Sequence, residues 1–108
     1  ARLDGAVVTT AAGLGPPADP VRAALAASGG VQCGYCASGI VTLLTALLAE
    51  TPRPGPTAVL PLVAGQICRC TGYGGLRRAV ERLFGPEDPA AGAADQPQHL
   101  SATRGDAS

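Results

Sequence analysis

Apolar residues recur along this chain at the spacing of amphipathic helices. Ile40, Leu43, Leu44, Leu47 and Leu48 fall at i, i+3, i+4, i+7 and i+8, the buried stripe of one helix. That helix is expected to begin just after Cys36 and to end before Thr51-Pro52. Leu76, Ala79, Val80, Leu83 and Phe84 make a second such face, from about Gly74 to Phe84, stopped by Gly85-Pro86. Upstream, Val21, Ala24, Leu25 and Ser28 share a face over about residues 19–28. Asp19 suits the N-cap of that helix, Pro20 its first position, and Gly29-Gly30 its end. A shorter helix is expected over about residues 57–64, capped by Thr57 and ended by Gly65. Leu60, Val63, Ala64 and Ile67 would line its inner face, and Pro61 fits only if it lies in a first turn. Between the two, Thr51–Pro56 holds three Pro and one Gly and reads as a loop.

The two ends follow a different pattern. Residues 1–18 form an irregular lead-in, in which Ala6-Val7-Val8-Thr9-Thr10 has the β-branched character of one strand. A lone strand needs a partner to be stable. Residues 85–108 are rich in Ala, Gly, Pro and Asp with almost no large apolar side chain, and are expected to be a disordered tail. The fold class expected is all-α: a small four-helix bundle over 19–84, between a linker and a tail.

Composition narrows the picture. Of 108 residues, 46% are hydrophobic but only 3% aromatic, so the core must be built from Ala, Val and Leu. Small cores of that kind often need a staple such as a metal. The formal net charge is zero and all eight basic residues are Arg, which leaves no electrostatic case for binding nucleic acid. Arg77, Arg78 and Arg82 read as a solvated helix face. The longest apolar stretch, Ile40 to Ala49, is about half of the roughly 20 residues that a membrane span needs. A soluble, cytoplasmic protein with no membrane span is expected. No basic-then-apolar leader opens the sequence, and it contains no Met, so a processed product or a fragment is expected.

The chemistry lies in four cysteines that fall in two tight pairs. Cys33-Gly34-Tyr35-Cys36 is a C-x-x-C and Cys68-Arg69-Cys70 a C-x-C, with 31 residues between them and no Cys left over. Each spacing can aim two sulfurs at one point from a turn. Four thiolates around two irons is the usual ligation of a [2Fe–2S] cluster, and soft thiolates suit iron–sulfur clusters or zinc. Each pair sits just before an expected helix, whose N-terminal N–H groups and positive dipole end favour an anion. Gly34, Gly39, Gly72, Gly74 and Gly75 leave backbone N–H groups open to close approach. Tyr35 and Tyr73 are expected to shield the site from water. A structural four-Cys zinc site, two disulfides, and buried unligated Cys remain open on spacing alone.

The segments Val31-Gln32-Cys33-Gly34-Tyr35-Cys36 and Gly65-Gln66-Ile67-Cys68-Arg69-Cys70-Thr71-Gly72-Tyr73 resemble the second [2Fe–2S] domain of the xanthine dehydrogenase family. This family of molybdenum hydroxylases includes aldehyde oxidoreductases, carbon monoxide dehydrogenase and isoquinoline oxidoreductase. The resemblance covers about residues 6–84 and implies a four-helix domain whose Cys33, Cys36, Cys68 and Cys70 bind one cluster. It also implies that Gln32 and Cys70 approach the pterin of a molybdenum cofactor held by a large partner subunit. The chain would carry electrons and hold no substrate site, with a flavin subunit and a separate ferredoxin-type domain as further partners. Three features depart from the family pattern: Ala37-Ser38-Gly39 replaces the usual Thr-Pro-Gly, Gly65-Gln66 replaces Gly-Asn, and Pro61 falls where a continuous helix is usual. The family's plant-type C-x₄-C-x₂-C pattern is absent, so a truncated chain or a separately encoded half is expected. Two other classes remain: a stand-alone [2Fe–2S] module similar to bacterioferritin-associated ferredoxin, which has the C-x-C first, and a zinc-stabilised interaction module.

Overall fold

The computed structural model describes residues 2–86. Four helices form the domain: α1 (Asp19–Ser28), α2 (Ala37–Leu48), α3 (Pro56–Ala64) and α4 (Gly74–Phe84). All four coincide with the hydrophobic patterning to within a residue or two. No helix among the described residues is long and apolar enough to cross a membrane. The expected tail lies almost wholly outside the described residues.

One core unites the helices. Val21, Ala24 and Leu25 of α1 meet Ile40, Val41, Leu44 and Leu47 of α2, Val59 and Val63 of α3, and Leu76, Ala79, Val80 and Phe84 of α4. Phe84 is the chain's single Phe, so aliphatic side chains carry most of the packing. Small residues let α4 lie closest against α1. Gly75 is buried with its α-carbon against the Gly29 carbonyl and the Gly30 nitrogen, leaving no room for a side chain. Arg78 bridges the same helices, donating from its guanidinium to the Ser28 carbonyl at 2.9 Å. It is therefore a clamp on the end of α1, and not merely part of a solvated face.

Several local expectations are corrected. Asp19 is not the N-cap of α1: a 3₁₀ turn over Pro16–Ala18 runs directly into the helix. Asp19 lies in the first turn, where it pairs with Arg22 at 3.1 Å. Thr57 does not cap α3, which begins one residue earlier after extended Gly55, with Pro56 at its first position. Pro61 lies inside α3. It is on the exposed face, where water can reach the carbonyl left without its helical partner. Val59 points inward in place of Ala64, and Ile67 lies beyond the helix with 86% of its surface exposed. The strand expected at Ala6–Thr10 does not form: the segment is irregular and exposed, with no strand among the described residues to pair with. The lead-in is tied down further along, where the Arg22 guanidinium donates to the carbonyls of Ala11 and Gly15.

Thr45 is the exception in this apolar interior. It is buried on α2, and its hydroxyl oxygen has no hydrogen-bond partner. An unsatisfied buried hydroxyl costs about 1–3 kcal/mol. Thr45→Val keeps the shape and the β-branch while removing the polar atom. Urea unfolding should show a gain of about 1 kcal/mol. An unchanged or lower midpoint would mean that the hydroxyl finds a partner in solution.

Candidate metal centre

The two cysteine pairs occupy the loops that precede α2 and α4. The first loop leaves α1 through a Schellman turn: Gly29 is left-handed at φ 69°, and the Gly30 N–H donates to the Leu25 carbonyl at 2.8 Å. The chain then passes exposed Val31, Gln32 and Cys33, turns at left-handed Gly34 (φ 85°), and reaches Cys36 immediately before α2. Cys36 is half-buried against the core. The second loop leaves α3 at Gly65 and places Cys68 half-buried and Cys70 exposed. Because Gly75 seats the start of α4 on the Gly29–Gly30 turn, these two loops are neighbours. Gln66 adds a second contact between them, its side-chain oxygen touching Gly39 in the first turn of α2.

The second loop is braced by Thr71 and Tyr73. Tyr73 precedes α4 with a left-handed φ of 64°, unusual for a residue with a side chain. Its hydroxyl donates to the Gln66 carbonyl at 3.0 Å and accepts the Cys68 N–H at 2.9 Å. Its own N–H donates to Thr71 Oγ1 at 3.1 Å. These bonds hold the backbone on both sides of Cys68 and offset the cost of the strained φ. In the first loop the Tyr35 N–H reaches Cys33 Sγ at 3.5 Å.

The four thiols lie close enough across the loops to perturb one another's ionisation, Cys33 chiefly with Cys70 and Cys36 chiefly with Cys68. The Tyr35 N–H and then the Cys70 thiol hold the Cys33 pKa down, while Cys33 pushes that of Cys70 up. In the other pair, burial and then Cys68 raise the Cys36 pKa. Cys68 falls to about 7, chiefly through the Thr71 hydroxyl and then the Thr71 backbone N–H. Each of these twos thus joins a thiol whose pKa is lowered to one whose pKa is raised. Among the described residues, no three His, Cys, Asp or Glu side chains gather closely enough to hold a single ion.

Two residues do not behave as sequence reasoning expects. Tyr35 is 92% exposed and shields nothing. Gly75 serves helix packing, and not access to a bound group. Sequence reasoning also missed the Tyr73 and Thr71 hydroxyls as braces. Their place beside C-x-C was the one signal, since polar bonds made by a turn leave no periodic trace.

The family model described as "[2Fe-2S] binding domain" matches residues 10–81. A Bacillus subtilis protein described as a probable component of xanthine dehydrogenase is 43% identical over 83 residues, which are 76% of this chain and 48% of that protein. Aldehyde oxidase 1 of Cavia porcellus is 46% identical over 74 residues, 66% of this chain and 6% of that protein. Xanthine dehydrogenase of Emericella nidulans is 40% identical over 86 residues, 78% of this chain and 6% of that protein. The chain therefore spans about half the length of the first relative and a small part of the other two. No solved structure gives a significant match.

Proposed function

The chain belongs to the [2Fe-2S] binding domain family, and from that premise we propose that Cys33, Cys36, Cys68 and Cys70 hold its one cluster and that the domain relays single electrons inside a molybdenum-dependent oxidoreductase. The observation that carries this reading is that the seating of Gly75 on the Gly29–Gly30 turn brings the two cysteine loops side by side, with all four thiols free. A [2Fe–2S] cluster takes four protein thiolates, which Cys33, Cys36, Cys68 and Cys70 would supply. A structural zinc instead takes four ligands around one point, and among the described residues no three such side chains gather that closely. The donor set also fits by softness, being all sulfur.

The bound cluster supplies a one-electron carrier. This chain's residues determine where it sits and what reaches it. Cys36 and Cys68 are half-buried against the core and would hold the cluster there. Cys33 and Cys70 are exposed and would leave it open to a partner. Gln32 is exposed beside Cys33, where it can meet a partner's cofactor. In the proposed assembly Gln32 and Cys70 would lie toward the pterin of a large molybdenum subunit, with a flavin subunit or a ferredoxin-type domain as further partners, and the substrate would bind elsewhere. The relatives' names, xanthine dehydrogenase and aldehyde oxidase, support such an assembly, and a cytoplasmic location accords with it.

Anaerobically purified protein should be red-brown, with two irons and two acid-labile sulfides per chain. A colourless chain holding one zinc would overturn the electron-transfer reading and favour an interaction module.

A further inference from the structure

We propose that the Thr71 hydroxyl is a fixed hydrogen-bond donor to the sulfur of Cys68, a positioning residue that raises the reduction potential of the cluster Cys68 helps to hold. The proposal rests on the reading of Cys68 as a cluster ligand.

The direction of the bond follows from its neighbours. Thr71 Oγ1 lies 3.1 Å from Cys68 Sγ and 3.1 Å from the Tyr73 backbone nitrogen. A backbone N–H can only donate, so the Thr71 oxygen accepts from Tyr73. That contact restrains the hydroxyl and leaves its single proton for the sulfur. A metal-bound Cys is a thiolate with no proton of its own, so Thr71 alone can donate between the two. Tyr73 is itself held, by the left-handed φ and by the hydroxyl bonds to Gln66 and Cys68. The donor is therefore fixed in place before any cluster binds. Reduction adds one electron and breaks no bond, but it increases the negative charge on the sulfurs. A hydrogen bond to sulfur gains strength with that charge and raises the potential.

The test compares the full chain with Thr71→Val, which is nearly isosteric but lacks the hydroxyl, and with Thr71→Ser, which keeps it. Iron and sulfide are counted first, and the midpoint potential is then read by redox titration followed by electron paramagnetic resonance. Thr71→Val should titrate at a lower potential than the parent, with Thr71→Ser close to the parent. Loss of the cluster from Thr71→Val, with retention in Thr71→Ser, would support the same bond through retention. Equal midpoints at equal iron content would overturn the proposal. So would Thr71→Ser matching Thr71→Val, in potential or in cluster loss, since the hydroxyl would then not be the cause. Failure of the parent to bind two irons and two sulfides is a separate result and would overturn the cluster reading beneath it.

Discussion

Gly75→Ala should destabilise the domain by about 2 kcal/mol or more and strip it of iron, whereas Gly74→Ala should leave it as stable as before or slightly more so. The adjacent glycines separate backbone propensity from packing. Ala is the better helix former by up to about 1 kcal/mol, so propensity alone favours both changes. At Gly74 a new methyl group would meet only the Arg78 guanidinium, at 3.7 Å, an ordinary contact. At Gly75 it would collide with the Gly29 carbonyl and with the Gly30 nitrogen at 2.8 Å. Those are backbone atoms inside a hydrogen-bonded turn, and they cannot move aside as a side-chain tip can. Overpacking typically costs about 1–3 kcal/mol, and more where nothing yields. A small domain of marginal stability has little reserve against that loss. The collision also lies between the two cysteine loops, so relief by separating α1 from α4 moves Cys33 and Cys36 away from Cys68 and Cys70. Urea unfolding and iron content measure the two effects, and a Gly75→Ala protein as stable and iron-rich as its parent would refute this account of the helix contact.

Much of the fold was legible because its determinants are periodic. The stripes of α1, α2 and α4 are regular, and each helix ends at a Gly or Pro or in the loop that contains them, so their ranges follow from the sequence. α3 was less legible because several of its residues are apolar, so that the register Leu60, Val63, Ala64 and Ile67 looked as regular as the one that buries Val59 and Val63. The capping errors at Asp19 and Thr57 share a cause. Both residues suit a cap, but the preceding Pro16–Ala18 turn and Pro56 start each helix before the side chain can act as one. The strand at Ala6–Thr10 was read from local character, which cannot supply the second strand that pairing requires.

The candidate site was legible as a set of residues and not as an arrangement. Spacing makes Cys33, Cys36, Cys68 and Cys70 a candidate ligand set, but it does not say which thiol faces which. That depends on how α4 crosses α1, and the crossing depends on Gly75. Its small size at i, with Ala79 at i+4, was a usable signal of close helix approach. The exposure of Tyr35 was not legible, because an aromatic residue inside a cysteine motif suggests shielding, and that of Ile67 was not, because its spacing continues the inner face of α3 past the end of the helix. Thr71 and Tyr73 act through single hydrogen bonds in a turn, where only the three-dimensional path shows what an oxygen can reach.

Cys36→Ser should cost the protein its visible colour and most of its iron, and with them the stability that the cluster gives the bundle. Serine replaces sulfur with a harder oxygen that ionises far less readily, so it is a poor substitute toward iron. The helix should barely register the change. Cys36 stands before α2 at φ −81° and ψ −10°, outside the extended geometry in which Ser caps a helix. Cys36 is half-buried against the core, so iron-free Cys36→Ser should lose about 1 kcal/mol against the iron-free parent, as for an ordinary substitution at a packed position. The large difference should appear only after iron and sulfide are supplied. In small metal domains the free energy of binding is folding free energy, on the order of 10 kcal/mol for a structural zinc. The loaded parent should accordingly rise by several kcal/mol while Cys36→Ser stays near its iron-free value. Thermal unfolding before and after anaerobic reconstitution measures both. A folded Cys36→Ser protein carrying a full complement of iron and sulfide would remove Cys36 from the ligand set.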